Sequence, residues 1–415
     1  MLKGAIFSLH DVLVKKGTVA QALFDETIKL LRFLQSRGVE PVFISNHVWT
    51  VSSGGVSRPF RELLEERLGP VSYYVGGQGG MPYKPRADAT AHILADKGWT
   101  ACEVLYVGNT QDDMKTAANG RLMFLNAMWH GVASPYGFQF DSPLDVARFI
   151  DCLCLGLDEW FWTLEDGALR VYALAPFTTL SPKYAQAHAY SENAKATSKH
   201  GAGDANFWGR LLAARVYLSG LVDEIDYISA YPGHTPESKE TVIADALNIL
   251  GKCLRKNYLP DLFIRHSKAV KSQTARAAGG SVGVENQMNT IRLNKAPAKG
   301  VGGEPYKAPP VRNGKTVLLV DDICTEGNSF EAGRAFIGAT GASAICVSWL
   351  KTINTDYREI SPALGAFNPY AAVQLPKPPP TKSHWYSGAI SSHAAPTDLA
   401  EVYQRYFKWN WPAGI

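Results

Sequence analysis

Over the first third of the chain, short apolar runs end in small polar residues and are followed by stretches with helical spacing. Residues 3–10 read KGAIFSLH, a strand that closes on a polar loop. Ala20–Arg37 repeats its apolar positions at a helical interval and Gly38 ends it. Pro41–Ile44 then forms a strand with Ser45 and Asn46 at its tip. Lys84-Pro85 opens another helix, and the strand Val104–Val107 leads into GNTQDDM. Strands and helices alternating at this spacing predict a doubly wound parallel sheet whose carboxyl edge carries the site.

The pattern loosens around Gly131–Ser142, and Pro143–Leu157 then reads as an amphipathic helix. Trp160–Leu164 and Ala168–Ala173 flank Glu165-Asp166-Gly167, a hairpin signal. Phe207–Leu221 is expected as a helix. The strand Ile225–Ala230 follows, then the turn YPGHTP and the helix Glu237–Lys252. Farther on, the run TVLLVDDICTEGNSFEAGR starts at Thr316. Its apolar strand meets two carboxylates, Asp321 and Asp322, then a small polar loop, Thr325, Glu326, Gly327, Asn328 and Ser329, then a helix from Phe330. A helix N-terminus has unpaired N–H groups and a positive dipole end, which favour an anion in that loop. The two carboxylates suit ribose hydroxyls, or Mg²⁺ held through water.

Composition adds limits. The chain has 415 residues, 46% hydrophobic and 19% charged, and predicts two or three soluble domains. A net charge of +4 does not by itself point to nucleic acid. Between Ile264 and Lys315, ten Lys or Arg face two Glu, so the charge is local. Aromatic interleaving is missing from 264–305, which counts against single-strand binding. Six cysteines without a C-x-x-C pair read as free thiols in a reducing cytoplasm. No secretion signal and no membrane span are read.

The Asp321–Ser329 segment resembles the phosphoribosyl pyrophosphate (PRPP) motif of type I phosphoribosyltransferases, with Glu326 where a small residue is common. The segment RHSKAVKSQTAR, from Arg265, is similar to part of the ComF-like transferases. The resemblance implies a site in which Asp321 and Asp322 hold ribose hydroxyls and water-bridged Mg²⁺, and Thr325–Ser329 cradle a 5′-phosphate. Pro232, Gly233, His234 and Thr235 would receive pyrophosphate. Arg265, Lys268, Lys271 and Arg276 would screen it as it leaves, with Lys271 and Arg276 counted among the catalytic groups.

Residues 3–135 resemble the haloacid dehalogenase superfamily, best over Tyr83–Gly120. Ser45 and Lys84 fit its second and third motifs, and Gly108-Asn109 with Asp113 the fourth. The family's nucleophile and acid/base Asp positions hold Ser8 and His10. A neutral Ser cannot form an aspartyl intermediate, and Asn109 removes a further metal carboxylate. A degenerate site is therefore expected from Ser8, His10, Asp11, Ser45, Asn46, Lys84, Asn109, Asp112 and Asp113.

The expected fold is α/β: two Rossmann-like doubly wound sheets joined by a helix and hairpin. Expected domains are 1–135, a connector over 136–204, a transferase core over 205–370 and an aromatic tail over 371–415. The expected activity is Mg²⁺-dependent transfer between PRPP and a nucleobase-like acceptor, or the reverse cleavage of a nucleotide. The alternatives are a nucleotide-sensing or scaffold protein of a bacterial stress or defence system, and a phosphatase. Expected partners are a nucleotide or nucleobase, with a homo-oligomer permitted and neither membrane nor nucleic acid expected.

Overall fold

The computed structural model describes residues 1–53, 56–130, 136–156, 160–237, 242–270 and 282–415. Its first sheet has six strands, all parallel. Their order is Ser72–Val75, Glu40–Ser45, Gly4–Ser8, Val104–Gly108, Met123–Ala127, Phe138–Phe140. Every residue of Gly4–Ser8 and Val104–Gly108 is buried, as strands covered on both faces must be. From Gly4–Ser8 the chain winds outward one way, then returns to Val104–Gly108 and winds the other way. A doubly wound sheet opens a crevice where that reversal occurs, between the carboxyl ends of those two strands.

The second sheet runs in the order Asn257–Tyr258, Tyr227–Ala230, Thr316–Cys324, Ser343–Thr352, Leu169–Phe177, Trp162–Asp166. The first five strands are parallel and the last pairs antiparallel. The hairpin expected inside a connector therefore supplies two strands of this sheet, because Val171–Phe177 pair with Cys346–Thr352. Here the winding reverses between Tyr227–Ala230 and Thr316–Cys324. Successive crossovers put the Val242–Leu254 helix on one face and the Asn328–Gly338 helix on the other.

The period of two along Thr316–Cys324 divides its side chains between two cores. Leu318 and Val320 enter a core shared with Leu211, Leu247 and Leu250, and with Met123 and Leu125 of the first sheet. Val317 and Leu319 pack instead with Phe330, Phe336 and Ile337. The helices Ala205–Leu218 and Val242–Leu254 thus form a layer between the sheets. The helix expected at 143–157 is Pro143–Phe149 followed by a wider turn, Ile150–Cys154. That expected at 237–252 is Val242–Leu254, with 238–241 outside the described residues.

The tail ends in the Ala395–Lys408 helix, and its aromatic residues act as anchors. Tyr403 and Tyr406 each lie 5.2 Å from the Phe207 ring, and Trp409 lies 5.6 Å from Phe33. Among the described residues, no helix is long and apolar enough to cross a membrane. All six cysteines are free thiols.

Candidate functional site

At the first crevice the structure gathers most of the residues singled out there. Ser8, at the end of its strand, is fully buried and its Oγ accepts from Lys84 Nζ at 2.9 Å. The same ammonium donates to Asp113 Oδ1 at 2.7 Å, and the Asp113 carboxylate is fully buried. Tyr106 Oη also donates to Oδ1, at 3.1 Å. Asp113 Oδ2 accepts from the Asn109 and Thr110 N–H groups and from Thr110 Oγ1, at 3.2, 3.1 and 2.9 Å. Thr110 and Asp113 form the capping box of the Gln111–Asn119 helix. Burial works against the Asp113 charge, but Lys84 and these donors hold its pKa below the usual carboxylate value.

Gly108 makes that close approach feasible, since a Cβ there would come within 2.5 Å of Asp113 Cβ. Asn46 clamps the Lys84 backbone through its amide, accepting at 2.8 Å and donating at 3.0 Å. Ser45 Oγ accepts from His47 N and Trp49 Nε1. His10 is exposed, with its ring 5.8 Å from Trp49 and its Nε2 3.7 Å from Asp11. Asn109 turns away from the mouth, donating to Ala127 O at 2.7 Å. Asp112 is well exposed beside Lys115.

These residues do not fit a Mg²⁺ site. Ser8 and Asn109 are neutral, the Asp113 oxygens already accept five hydrogen bonds, and the Asp112 carboxylate faces solvent. The Lys84 charge is matched by Asp113, so the crevice offers an anion little net attraction. With Mg²⁺ and p-nitrophenyl phosphate, the protein is expected to release no phenolate above a heat-denatured control, in a colorimetric assay.

The second crevice brings the other two segments together. Ala230 pairs with Val320, and Tyr231 N donates to Val320 O at 2.7 Å, so the 231–236 turn starts beside Asp321. Asp321 and Asp322 are partly exposed. Asp322 N donates to Asp321 Oδ1 at 2.9 Å, and Ile323 N to Asp322 Oδ1 at 2.7 Å. The strand runs on through both to Cys324, past the expected end at Val320, so the two side chains alternate in face. Carboxylates at the carboxyl end of a strand suit water-bridged Mg²⁺ or vicinal hydroxyls.

Gly327 caps the Asn328–Gly338 helix with φ +85°, and a Cβ there would lie 2.2 Å from the Tyr357 ring. Both facts demand glycine. Gly327→Ala is expected to lower stability by about 2–3 kcal/mol in chemical denaturation, from left-handed strain plus the clash. Asn328 Nδ2 donates to Val282 O, and Ser329 is half-buried. Glu326 Oε1 lies 3.5 Å from the Arg358 guanidinium, which gives the loop's one carboxylate a cationic neighbour. Thr325 Oγ1 is 3.0 Å from Thr352 Oγ1.

Behind the turn lies Arg265, buried, donating to Pro232 O at 3.3 Å, Gln287 Oε1 at 3.0 Å and Thr290 Oγ1 at 2.5 Å. It supports the turn from inside instead of projecting into solvent. Gly233 and Thr235 are half-buried, while His234 and Lys268 are exposed. His234 O accepts from Ala269 N, joining the turn to the basic segment. Lys271 and Arg276 lie outside the described residues.

Sequence reasoning missed three supporting residues. Lys351 is wholly buried beneath Thr325. Buried Glu331 accepts from Tyr357 Oη at 2.7 Å and Ile360 N at 2.8 Å, fixing the segment that packs on Gly327. Tyr106 supports Asp113. A lysine directly after the apolar run Ile345–Leu350 was the available signal for the first. The other two had no distinct pattern.

No protein-family model and no curated protein matches the chain. Solved structures similar to part of it include a candidate phosphoglycolate phosphatase from Lactobacillus delbrueckii subsp. bulgaricus. It is 21% identical over 30% of this chain and 51% of that one, with a TM-score of 0.23. A HAD-superfamily hydrolase from Ehrlichia chaffeensis is 19% identical over 31% and 57%, with a TM-score of 0.23. Another, of subfamily IA, from Geobacter sulfurreducens is 12% identical over 37% and 100%, with a TM-score of 0.24. The chain thus spans little more than half of the first two. Likeness this slight transfers no residue role.

Proposed function

We propose that the protein is a Mg²⁺-dependent phosphoribosyltransferase, acting between PRPP and a nucleobase-like acceptor or in the reverse direction. Its first sheet would be a haloacid dehalogenase-like domain that does not hydrolyse phosphate esters. One observation carries this reading: the winding reversal of the second sheet sets the 231–236 turn beside Asp321, Asp322 and the glycine-capped loop. Two anion-receiving loops flanking an acid pair match a ligand with phosphates at two ends and hydroxyls between them.

Asp321 and Asp322 would hold the ribose hydroxyls and, through water, the Mg²⁺ that neutralises charge on the leaving pyrophosphate. An acceptor nitrogen would bond to the anomeric carbon as the carbon–oxygen bond to pyrophosphate breaks, its electron pair leaving with pyrophosphate. Such a transition state has oxocarbenium character, so orientation and charge screening supply most of the acceleration. Lys268, exposed next to the Ala269 that bonds the 231–236 turn, would screen the leaving group, and Lys271 and Arg276, outside the described residues, would share that role.

Phosphorus NMR of PRPP with Mg²⁺ and a panel of nucleobases tests the reading. Base-dependent pyrophosphate release supports it and names the acceptor. A sensor that binds without turnover is the second reading, favoured by Glu326 inside the loop. It predicts shifted PRPP resonances with no pyrophosphate.

A further inference from the structure

Lys351 lies near the end of the Ser343–Thr352 strand and is fully buried, yet it forms no ion pair with a carboxylate among the described residues. Its Nζ donates to Thr325 O at 2.5 Å, Thr355 O at 2.6 Å and Thr355 Oγ1 at 2.9 Å. The rings of Trp162 and Tyr386 stand 5.3 and 5.6 Å from it. Burial pulls its pKa down, against the pull of Cys324, Asp356 and Glu326. Of these, Glu326 is engaged with Arg358, and Asp356 accepts from Tyr386 N. A buried ammonium answered only by neutral dipoles and ring faces is costly unless something else stabilises it.

What it holds is the first carbonyl of the anion loop. Thr355 Oγ1 accepts from the same ammonium and gives its single proton to Thr352 O at 2.7 Å, with Thr325 O farther off at 3.2 Å, so it fixes Lys351 beneath that carbonyl. In a planar trans peptide the N–H points opposite to the C=O. Drawing the Thr325 carbonyl inward therefore turns the Glu326 N–H the opposite way, outward.

We propose that Lys351 is the positioning residue of the Thr325–Ser329 loop: it pins the Thr325 carbonyl inward and sets a buried positive charge behind a bound phosphate dianion. This rests on the transferase reading. The charge acts through protein, not water, so it attracts a loop-bound anion with little screening.

The test compares wild type with Lys351→Met and Thr355→Val. Calorimetry would titrate PRPP with Mg²⁺ and, separately, inorganic phosphate, with circular dichroism and melting curves alongside. Lys351→Met is expected to weaken PRPP at least tenfold, and Thr355→Val about threefold. In turnover, KM for PRPP should rise by the same factors while kcat changes less than threefold. A merely structural role would lower the melting temperature and leave KM of the folded enzyme unchanged. PRPP affinity of folded Lys351→Met within twofold of wild type overturns the proposal and leaves the transferase reading standing. If Lys351→Met does not fold, Thr355→Val decides: a loss of threefold or more supports the role, and a smaller change overturns it. If wild type binds neither probe, both readings fall.

Discussion

Replacing Asp321 and Asp322 together by Asn is expected to lower pyrophosphate release from PRPP by at least about a thousandfold, with the fold intact. The magnitude follows from what the pair supplies. Holding the ribose in a near-attack position and screening the leaving group are each worth several kcal/mol, and about 1.4 kcal/mol is a factor of ten in rate. Stability should barely move, because both side chains are partly exposed and the bonds at Asp321 Oδ1 and Asp322 Oδ1 come from backbone N–H groups an Asn oxygen can also accept. Phosphorus NMR of released pyrophosphate, with circular dichroism as the folding control, reads both. The pattern of loss separates roles. PRPP affinity retained without turnover assigns the pair to the transition state, whereas affinity and turnover lost together assign it to ground-state metal and ribose binding. Turnover within tenfold of wild type would remove the acid pair from the chemistry.

The elements of this candidate site were legible because their signals are local. The apolar run before Asp321 and Asp322, and Gly327 before a helical pattern, announced a strand and a helix start, although the strand continues through the acid pair to Cys324. The 231–236 turn was legible for the same reason. Its position beside Asp321 was not, since that depends on Ala230 pairing with Val320 across 90 residues of chain. The hairpin at Trp162–Phe177 shows the same limit. Its alternation announced two strands, but nothing in them names Ser343–Thr352 as the partner, and so it read as a connector. Charged residues failed in a different way. Lysine and arginine are taken as exposed by default, yet Lys351 and Arg265 are buried behind the two loops at the second crevice. At the first crevice, Ser8 and Asn109 announced the loss of carboxylates. Only the structure shows that Asp113 is fully engaged as well.

That engagement makes Asp113→Asn the substitution with the largest expected effect on stability, a loss of about 3–5 kcal/mol. An amide in place of the carboxylate presents an NH₂ either to Lys84 and Tyr106 or to the Asn109 and Thr110 donors. In both orientations like faces like, and the Lys84 ammonium, itself nearly buried, keeps no counter-charge. A loss of that size is a large share of an ordinary domain's stability of about 5–15 kcal/mol. Removing both charges should hurt less: Lys84→Met with Asp113→Leu leaves no orphaned ion, so the double variant is expected to be more stable than Asp113→Asn alone. The sign with pH follows from the same contacts. The folded-state pKa of Asp113 lies below its unfolded value of about 3.9, so its contribution is fully present above that value. It is lost as pH falls through the folded pKa. The stability of wild type to urea should therefore fall on acidification below about pH 4, and Asp113→Asn should show a shallower fall. Equal acid slopes in the two proteins would mean that Asp113 is not the ionised centre of this crevice, and Lys84 would then be free to meet an anion.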